Sequence, residues 1–110
     1  MSDSRVFDFR TYTASPGRLE ELKSRFRDYT LGFFDRHNIK VIGFFEPVDR
    51  RDTLLYITEF ESDEDADRAW ESFGKDPEWA RAKASTETEG PLAILVVSER
   101  FRATALPPLS

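Results

Sequence analysis

The spacing of apolar residues switches between two and three-to-four along the chain, and the order of the switches narrows the folds open to it. Residues 6–12 alternate, with Phe7, Phe9 and Thr11 on one side and Val6, Asp8, Arg10 and Tyr12 on the other. That is the period of a β-strand. Ser15-Pro16-Gly17 then punctuates the chain, with Ser15 placed as a helix N-cap and Pro16 at the first helical position. From Arg18 the period lengthens. Leu19, Leu22, Phe26, Tyr29 and Phe33 form the stripe of an amphipathic helix, and Glu20, Glu21, Lys23, Arg25, Arg27 and Asp28 fill its wet face. Asn38, just beyond Arg36 and His37, is suited to a left-handed cap.

Residues 39–46 and 53–61 read as two strands joined through the turn at 47–52, which makes a hairpin. Ser62-Asp63-Glu64-Asp65 resembles a capping box with Asp in the usual Glu position. It opens a helix whose apolar face is Ala66, Ala69, Trp70 and Phe73, closed by Gly74. Asp76-Pro77-Glu78 starts a shorter helix carrying Trp79 and Ala82, and Gly90-Pro91 precedes a last strand over residues 92–101. The order β-α-β-β-α-β is the split βαβ pattern of an α+β, ferredoxin-like sheet. Its two main helices cover one face of the sheet only. Strands 39–46 and 92–101 are apolar on both faces, so the uncovered face is expected to receive a second copy of the chain.

Composition bounds the rest. The 110 residues suffice for one domain, read as residues 1–102 with an extended tail at 103–110. The chain carries 16 basic and 21 acidic residues, net −5, with no basic run longer than Arg50-Arg51, so nucleic acid and anionic membrane surfaces are not expected partners. There is no cysteine, which removes disulfides, thiolate ligands and a thiol nucleophile. No apolar run approaches the roughly 20 residues that span a bilayer, and Met1-Ser2-Asp3-Ser4-Arg5 lacks a signal pattern. A cytoplasmic protein is expected.

Phe7-Asp-Phe-Arg-Thr-Tyr-Thr13 followed by Pro16-Gly-Arg-Leu-Glu20 resembles the opening of the NIPSNAP family, in which an acid-apolar-Arg-x-Tyr strand leads into a Pro-Gly-turned helix. The family's usual Glu two places before the Arg is the shorter Asp8 here. The resemblance continues through His37, Lys40-Val-Ile-Gly-Phe-Phe45, Thr58-Glu-Phe-Glu-Ser62 and Asp76-Pro-Glu-Trp79, and so covers residues 6–101. It implies a dimeric α+β barrel in which two sheets close face to face. Structural relatives of that family include cofactor-independent monooxygenases, haem-degrading enzymes, lactone isomerases and proteins with no known catalysis, so the resemblance leaves the reaction open.

Asp8, Arg10 and Tyr12 share one face of a strand that the split βαβ topology makes central, so partial burial is expected. Arg10 offers donors to a carboxylate or enolate, and Tyr12 an acid or hydrogen-bond donor. The alternative is structural: an Arg10–Asp8 or Arg10–Glu59 ion pair that fixes register. Because Phe7, Phe9 and Thr11 are the more apolar set, they are expected beneath the helices, with the polar triplet facing the partner. Tyr56 and Glu59 fall on opposite faces of their strand, so at most one of them joins Arg10, and Glu59 is the better electrostatic match. His37, the sole histidine, is either a proton-transfer residue or a solvated helix C-terminal side chain. Trp79 is either a pocket wall or core. No ligand cluster accompanies His37, so neither a metal nor a cofactor is expected. No phosphate loop and no serine elbow is present, which sets nucleotides and hydrolytic triads aside.

Two functions follow. One is a cofactor-independent enzyme of oxygenase, isomerase or cyclase type acting on an apolar, carbonyl-bearing metabolite of bacterial catabolic or secondary metabolism. In it Arg10 steadies oxyanion charge, His37 or Asp8 moves the proton, Tyr12 donates, and Trp79, Glu59 and Tyr56 contact the substrate. The other is a non-catalytic dimeric module that binds a metabolite or a protein.

Overall fold

In the computed structural model, which describes residues 4–108, the alternating first segment forms β1 (Val6–Ala14). Met1, Ser2 and Asp3 of the segment read for a signal, and Leu109 and Ser110 of the expected tail, lie outside the described residues. β1 is followed by α1 (Leu19–Arg25), a π-helical segment (Phe26–Thr30), α2 (Leu31–Arg36), β2 (Lys40–Phe45), β3 (Thr53–Phe60), α3 (Asp63–Gly74), α4 (Pro77–Thr86) and β4 (Ala93–Arg102). The strands pair antiparallel in one four-stranded sheet of order β2-β3-β1-β4, so β1 is central as the split βαβ pattern requires. Among the described residues, no helix is long and apolar enough to cross a membrane.

Local chemistry sets most boundaries. Ser62 accepts the Asp65 N–H at 3.1 Å to open α3, and Asp76 accepts the N–H groups of Glu78 and Trp79 to open α4, with Pro77 first inside it. Asn38 adopts φ 62° and ends α2. The start of α1 differs from expectation. Ser15 caps no helix: its hydroxyl donates to the Pro91 carbonyl, its own carbonyl accepts the Arg18 N–H at 2.9 Å, and Gly17 turns the chain at φ +75°. The helix therefore begins at Leu19, with Pro16 and Gly17 used up in a turn.

The first helical region also departs from its expected stripe. The Leu31 N–H bonds the Phe26 carbonyl, five residues back, and the Thr30 hydroxyl donates to the Arg25 carbonyl at 3.3 Å. This one wide turn advances the buried face, so that Leu22, Phe26, Thr30 and Phe34 point inward while Tyr29 is exposed. Arg25, expected on the wet face, is also buried, within α1 and three residues on from Leu22; its guanidinium pairs with Glu87 at 3.0 Å and lies 5.8 Å from the Trp79 ring centre.

The sheet faces are inverted relative to the expectation from apolarity. The helices cover Val6, Asp8, Arg10 and Tyr12; Phe7, Phe9 and Thr11 lie on the open face with Ile57, Glu59, Val97 and Phe101, their cross-strand partners or neighbours. Packing decides this. Tyr12 and Tyr56 complete an aromatic core with Phe26, Phe34 and Phe44, with ring centres 5.1–6.3 Å apart, and this core occupies the helix side. Because side chains alternate, Phe7 and Phe9 must then face away.

Phe34 is 2% exposed and its ring meets Phe26, Tyr56, Trp70 and Phe73. Phe34→Ala is expected to lower unfolding stability by about 3–5 kcal/mol, read as a shift of the urea midpoint without a change in slope. Tyr29→Ala, on the exposed turn of the same helix, is expected to change it by less than about 0.5 kcal/mol.

Candidate functional site

Arg10 projects from β1 to the helix side, opposite Tyr56 in the β1–β3 register. Its Nε donates to the Tyr56 hydroxyl at 3.0 Å, and its guanidinium carbon lies 4.2 Å from the Trp70 ring centre. Among the described residues no carboxylate pairs with it. Tyr12 completes the group, its hydroxyl oxygen 3.1 Å from that of Tyr56. Tyr56 is fully buried. With Arg10 donating to it, its one proton has only the Tyr12 oxygen to go to. The chain of donation therefore runs Arg10 to Tyr56 to Tyr12, and leaves the Tyr12 O–H aimed outward.

Burial holds the phenol of Tyr56 well above its ordinary pKa, Tyr12 adding to the shift and Arg10 opposing it, so Tyr56 remains a neutral donor. For Arg10, burial lowers the pKa, but the charge and hydrogen-bond effects of Tyr56 and Tyr12 outweigh it, and the net direction is up. The guanidinium stays charged. The partners of Tyr12 and Arg10 on β4 are Val96 and Ser98, both exposed. The helix layer stops short of β4, and that flank leaves Arg10 and Tyr12 only partly buried.

Asp8 has a different role from the one expected of it. Its Oδ2 accepts the Trp70 indole N–H at 2.6 Å and its Oδ1 accepts Arg100 Nε at 3.0 Å. Arg100 also reaches Asp63 and Asp67 at 2.7 and 2.8 Å. Burial lowers the Arg100 pKa, but these three acids together raise it. Asp8 thus fixes Trp70 beneath Arg10, with both its oxygens committed to hydrogen bonds. The expected Arg10–Asp8 and Arg10–Glu59 pairs do not form. Glu59 is on the open face, near Arg5 at 3.9 Å and Lys40 at 3.7 Å, and Tyr56 takes its place beside Arg10.

His37 is neither solvated nor near Arg10. Its Nε2 lies 2.7 Å from Asp76 Oδ2 and its Nδ1 2.6 Å from Ser72 Oγ. The bond to His37 draws the Asp76 carboxyl down to about 2 against partial desolvation, helped by the Glu78 and Trp79 N–H groups and Arg36. Trp79 stacks on Phe73 and Phe33, at 4.9 and 5.7 Å between ring centres, and joins the wall between α4 and the first helical region. Sequence reasoning missed Trp70 as a hydrogen-bond donor, together with Arg100, Ser72 and Asp76. Only Asp76 carried a signal, as a helix cap. Among the described residues, no group of three His, Asp or Glu side chains is placed to hold a metal ion.

No curated protein matches the sequence. Solved structures do. A NIPSNAP-like domain protein from Burkholderia xenovorans superposes with a TM-score of 0.83 at 17% identity, over 97% of this chain and 91% of that one. A NIPSNAP family protein from Agrobacterium tumefaciens gives 0.83 at 16% identity, over 100% and 97%. SnoaB, a cofactor-independent oxygenase from Streptomyces nogalater, gives 0.65 at 18% identity, over 96% and 98%. These likenesses establish the fold, the α+β sheet of the dimeric α+β barrel class. The NIPSNAP family profile matches residues 7–104, nearly the whole length, and the chain belongs to that family.

Proposed function

We propose that the space around Arg10 and Tyr12 binds the enolate of an apolar, readily ionised carbonyl compound, and that the protein is a cofactor-independent enzyme acting on it. The observation that carries this reading is the Arg10 guanidinium: charged, partly buried, laid on Trp70, and paired with no carboxylate among the described residues. A cation held this way stabilises negative charge on an oxygen more strongly than it would in water. The outward Tyr12 O–H supplies a second donor to the same oxygen. The surrounding Phe26, Trp70 and Val96 give an apolar bed for the remainder.

The chemistry follows from what the group lacks. Asp8 is held by Trp70 and Arg100, and His37 is engaged elsewhere, so neither serves Arg10 as a base. The substrate class is therefore one acidic enough to lose its proton to water once Arg10 stabilises the anion, such as a vinylogous acid or hydroxylated aromatic ketone. An enolate carbon can give an electron pair to dioxygen, forming a C–O bond, and the peroxide then takes a proton, for which Tyr12 is placed. Where that carbon still bears hydrogen, loss of water leaves a carbonyl. SnoaB, similar in fold, is a cofactor-independent oxygenase, which favours oxygenation over isomerisation here.

The open sheet face supports self-association as part of the same proposal. Phe101, Ile42, Phe45, Leu95 and Val97 are all exposed there, beside Phe7 and Phe9, and a second copy buries them in a barrel.

Isothermal titration with 2-hydroxy-1,4-naphthoquinone, an enolate mimic, tests the site. Arg10→Met is expected to weaken binding roughly 10- to 100-fold, the worth of a charge-assisted hydrogen bond of about 1.5–3 kcal/mol, and Tyr12→Phe by a smaller factor. Binding by the wild-type chain that Arg10→Met leaves intact sinks the proposal, as does no binding at all. An oxygen electrode with an enolisable aryl ketone then separates enzyme from binding module. For the dimer, light scattering is expected to return twice the 12.8 kDa chain mass, and Phe9→Glu, on the open face, to return the monomer.

A further inference from the structure

Ser72, His37 and Asp76 form a hydrogen-bonded chain on the far side of Phe73 from Trp70, outside the Arg10 group. We propose that Ser72 is a nucleophile for acyl transfer, with His37 its general base and Asp76 the positioning residue, acting on small esters or thioesters. A nucleophile within hydrogen-bond reach of a base that a third group orients is the arrangement this chemistry needs, and it is defined by geometry rather than by sequence order.

The direction of each bond follows from charge. Asp76 accepts from Glu78 N, Trp79 N and Arg36 Nη1, and is ionised, so it accepts again from His37. His37 Nε2 therefore carries the proton, and in the neutral imidazole Nδ1 is the bare acceptor. Ser72 Oγ, 2.6 Å from Nδ1, must be its donor. The serine is exposed on α3, while the His37 ring is 12% exposed and edge-on to Phe73. The base is thus held and the nucleophile open. Beside them lies a groove of about 590 Å³, lined by Arg36, His37, Asn38, Lys40, Arg68 and Ser72 among others. The Asn38 side-chain amide lines this groove and is the donor there for a developing oxyanion, while Arg36 is paired with Asp76 and Glu78 and Arg68 with Asp65.

In the first step Ser72 Oγ attacks the acyl carbon, its proton passes to His37 Nδ1, and the alcohol or thiol leaves with that proton. Water, deprotonated by the same nitrogen, then attacks the acyl-serine; the acid is released and Ser72 regains its proton. No oxidant or reductant enters.

The test uses a fluorophosphonate, which phosphonylates an activated serine with loss of fluoride, and peptide mass spectrometry to place the label. Labelling is expected at Ser72 and not at Ser85, which donates to a helix carbonyl at 2.7 Å, and it is expected to vanish in urea. His37→Gln should slow it about 100-fold, the lower range of general-base effects. Asp76→Asn separates function from structure. Asn caps a helix as well as Asp does, so α4 stays formed by circular dichroism, yet the tautomer is no longer fixed and labelling should again fall by about 100-fold or more. Hydrolysis of p-nitrophenyl acetate should fall in Ser72→Ala, a surface change that leaves the fold intact. An unlabelled Ser72, labelling that survives in urea or in His37→Gln, or esterase activity equal in Ser72→Ala each overturns the proposal.

Discussion

A buried carboxylate organises the helix side of this sheet. Asp8 is 3% exposed in the central strand, and its two oxygens are claimed by the indole of α3 and the guanidinium of the edge strand β4. A charge in that position is tolerated only with both partners present; removing one partner of such a pair typically costs about 3–5 kcal/mol. It therefore specifies more than it stabilises. Asp8 sets where α3 lies over the sheet, since Trp70 must reach it. It also holds β4 in register from the covered side, since Arg100 stands directly opposite it. With Trp70 fixed there, the Arg10 guanidinium lies on its ring and against Tyr56.

That arrangement explains why the central strand spends its covered face on polar residues and its open face on phenylalanines. An acid, an arginine and a tyrosine are costly beneath helices unless each is hydrogen-bonded. Asp8 is satisfied twice, Tyr56 both gives and receives, and Arg10 is satisfied on Nε alone. The incomplete member of the network is the one that faces the open flank beside β4. The open face carries Glu59 near Arg5 and Lys40, and among the described residues no helix covers its Phe7, Phe9 and Phe101, which Leu106, Pro107 and Pro108 of the tail flank.

Much of this order was legible in the sequence. Changes of period located the strands and helices, Ser62 and Asp76 announced their helices by cap chemistry, and Asn38 its left-handed turn. Choosing which face of β1 the helices cover could not succeed by counting apolar groups, because Phe7-Phe9-Thr11 is greasier than Asp8-Arg10-Tyr12. The decision rests on partners distant in sequence: the aromatic core around Tyr12 and Tyr56, and Arg100 and Trp70, which lie 92 and 62 residues away from Asp8. Charge alone matches Glu59 to Arg10, whereas the cross-strand register places Tyr56 opposite Arg10 and Glu59 opposite Phe7 on the other face. The π turn was invisible for another reason. One wide turn needs no special residue, yet it replaced Tyr29 by Thr30 on the buried face.

The want of a serine elbow, a local motif, sets hydrolytic triads aside in the sequence, and the proposed Ser72 nucleophile stands outside any such motif. Ser72, His37 and Asp76 come from α3, the end of α2 and the α4 cap, and no local pattern joins them. What joins them is a structural need: the N-terminus of α4 requires an acceptor, and an ionised acceptor beside an imidazole fixes its tautomer whatever else the protein does. The aromatic wall of Phe34, Trp70 and Phe73 then keeps this pair of groups apart from Arg10, with Trp70 facing one site and Phe73 the other. That hydrocarbon layer lies between the Arg10 guanidinium and the His37 imidazole.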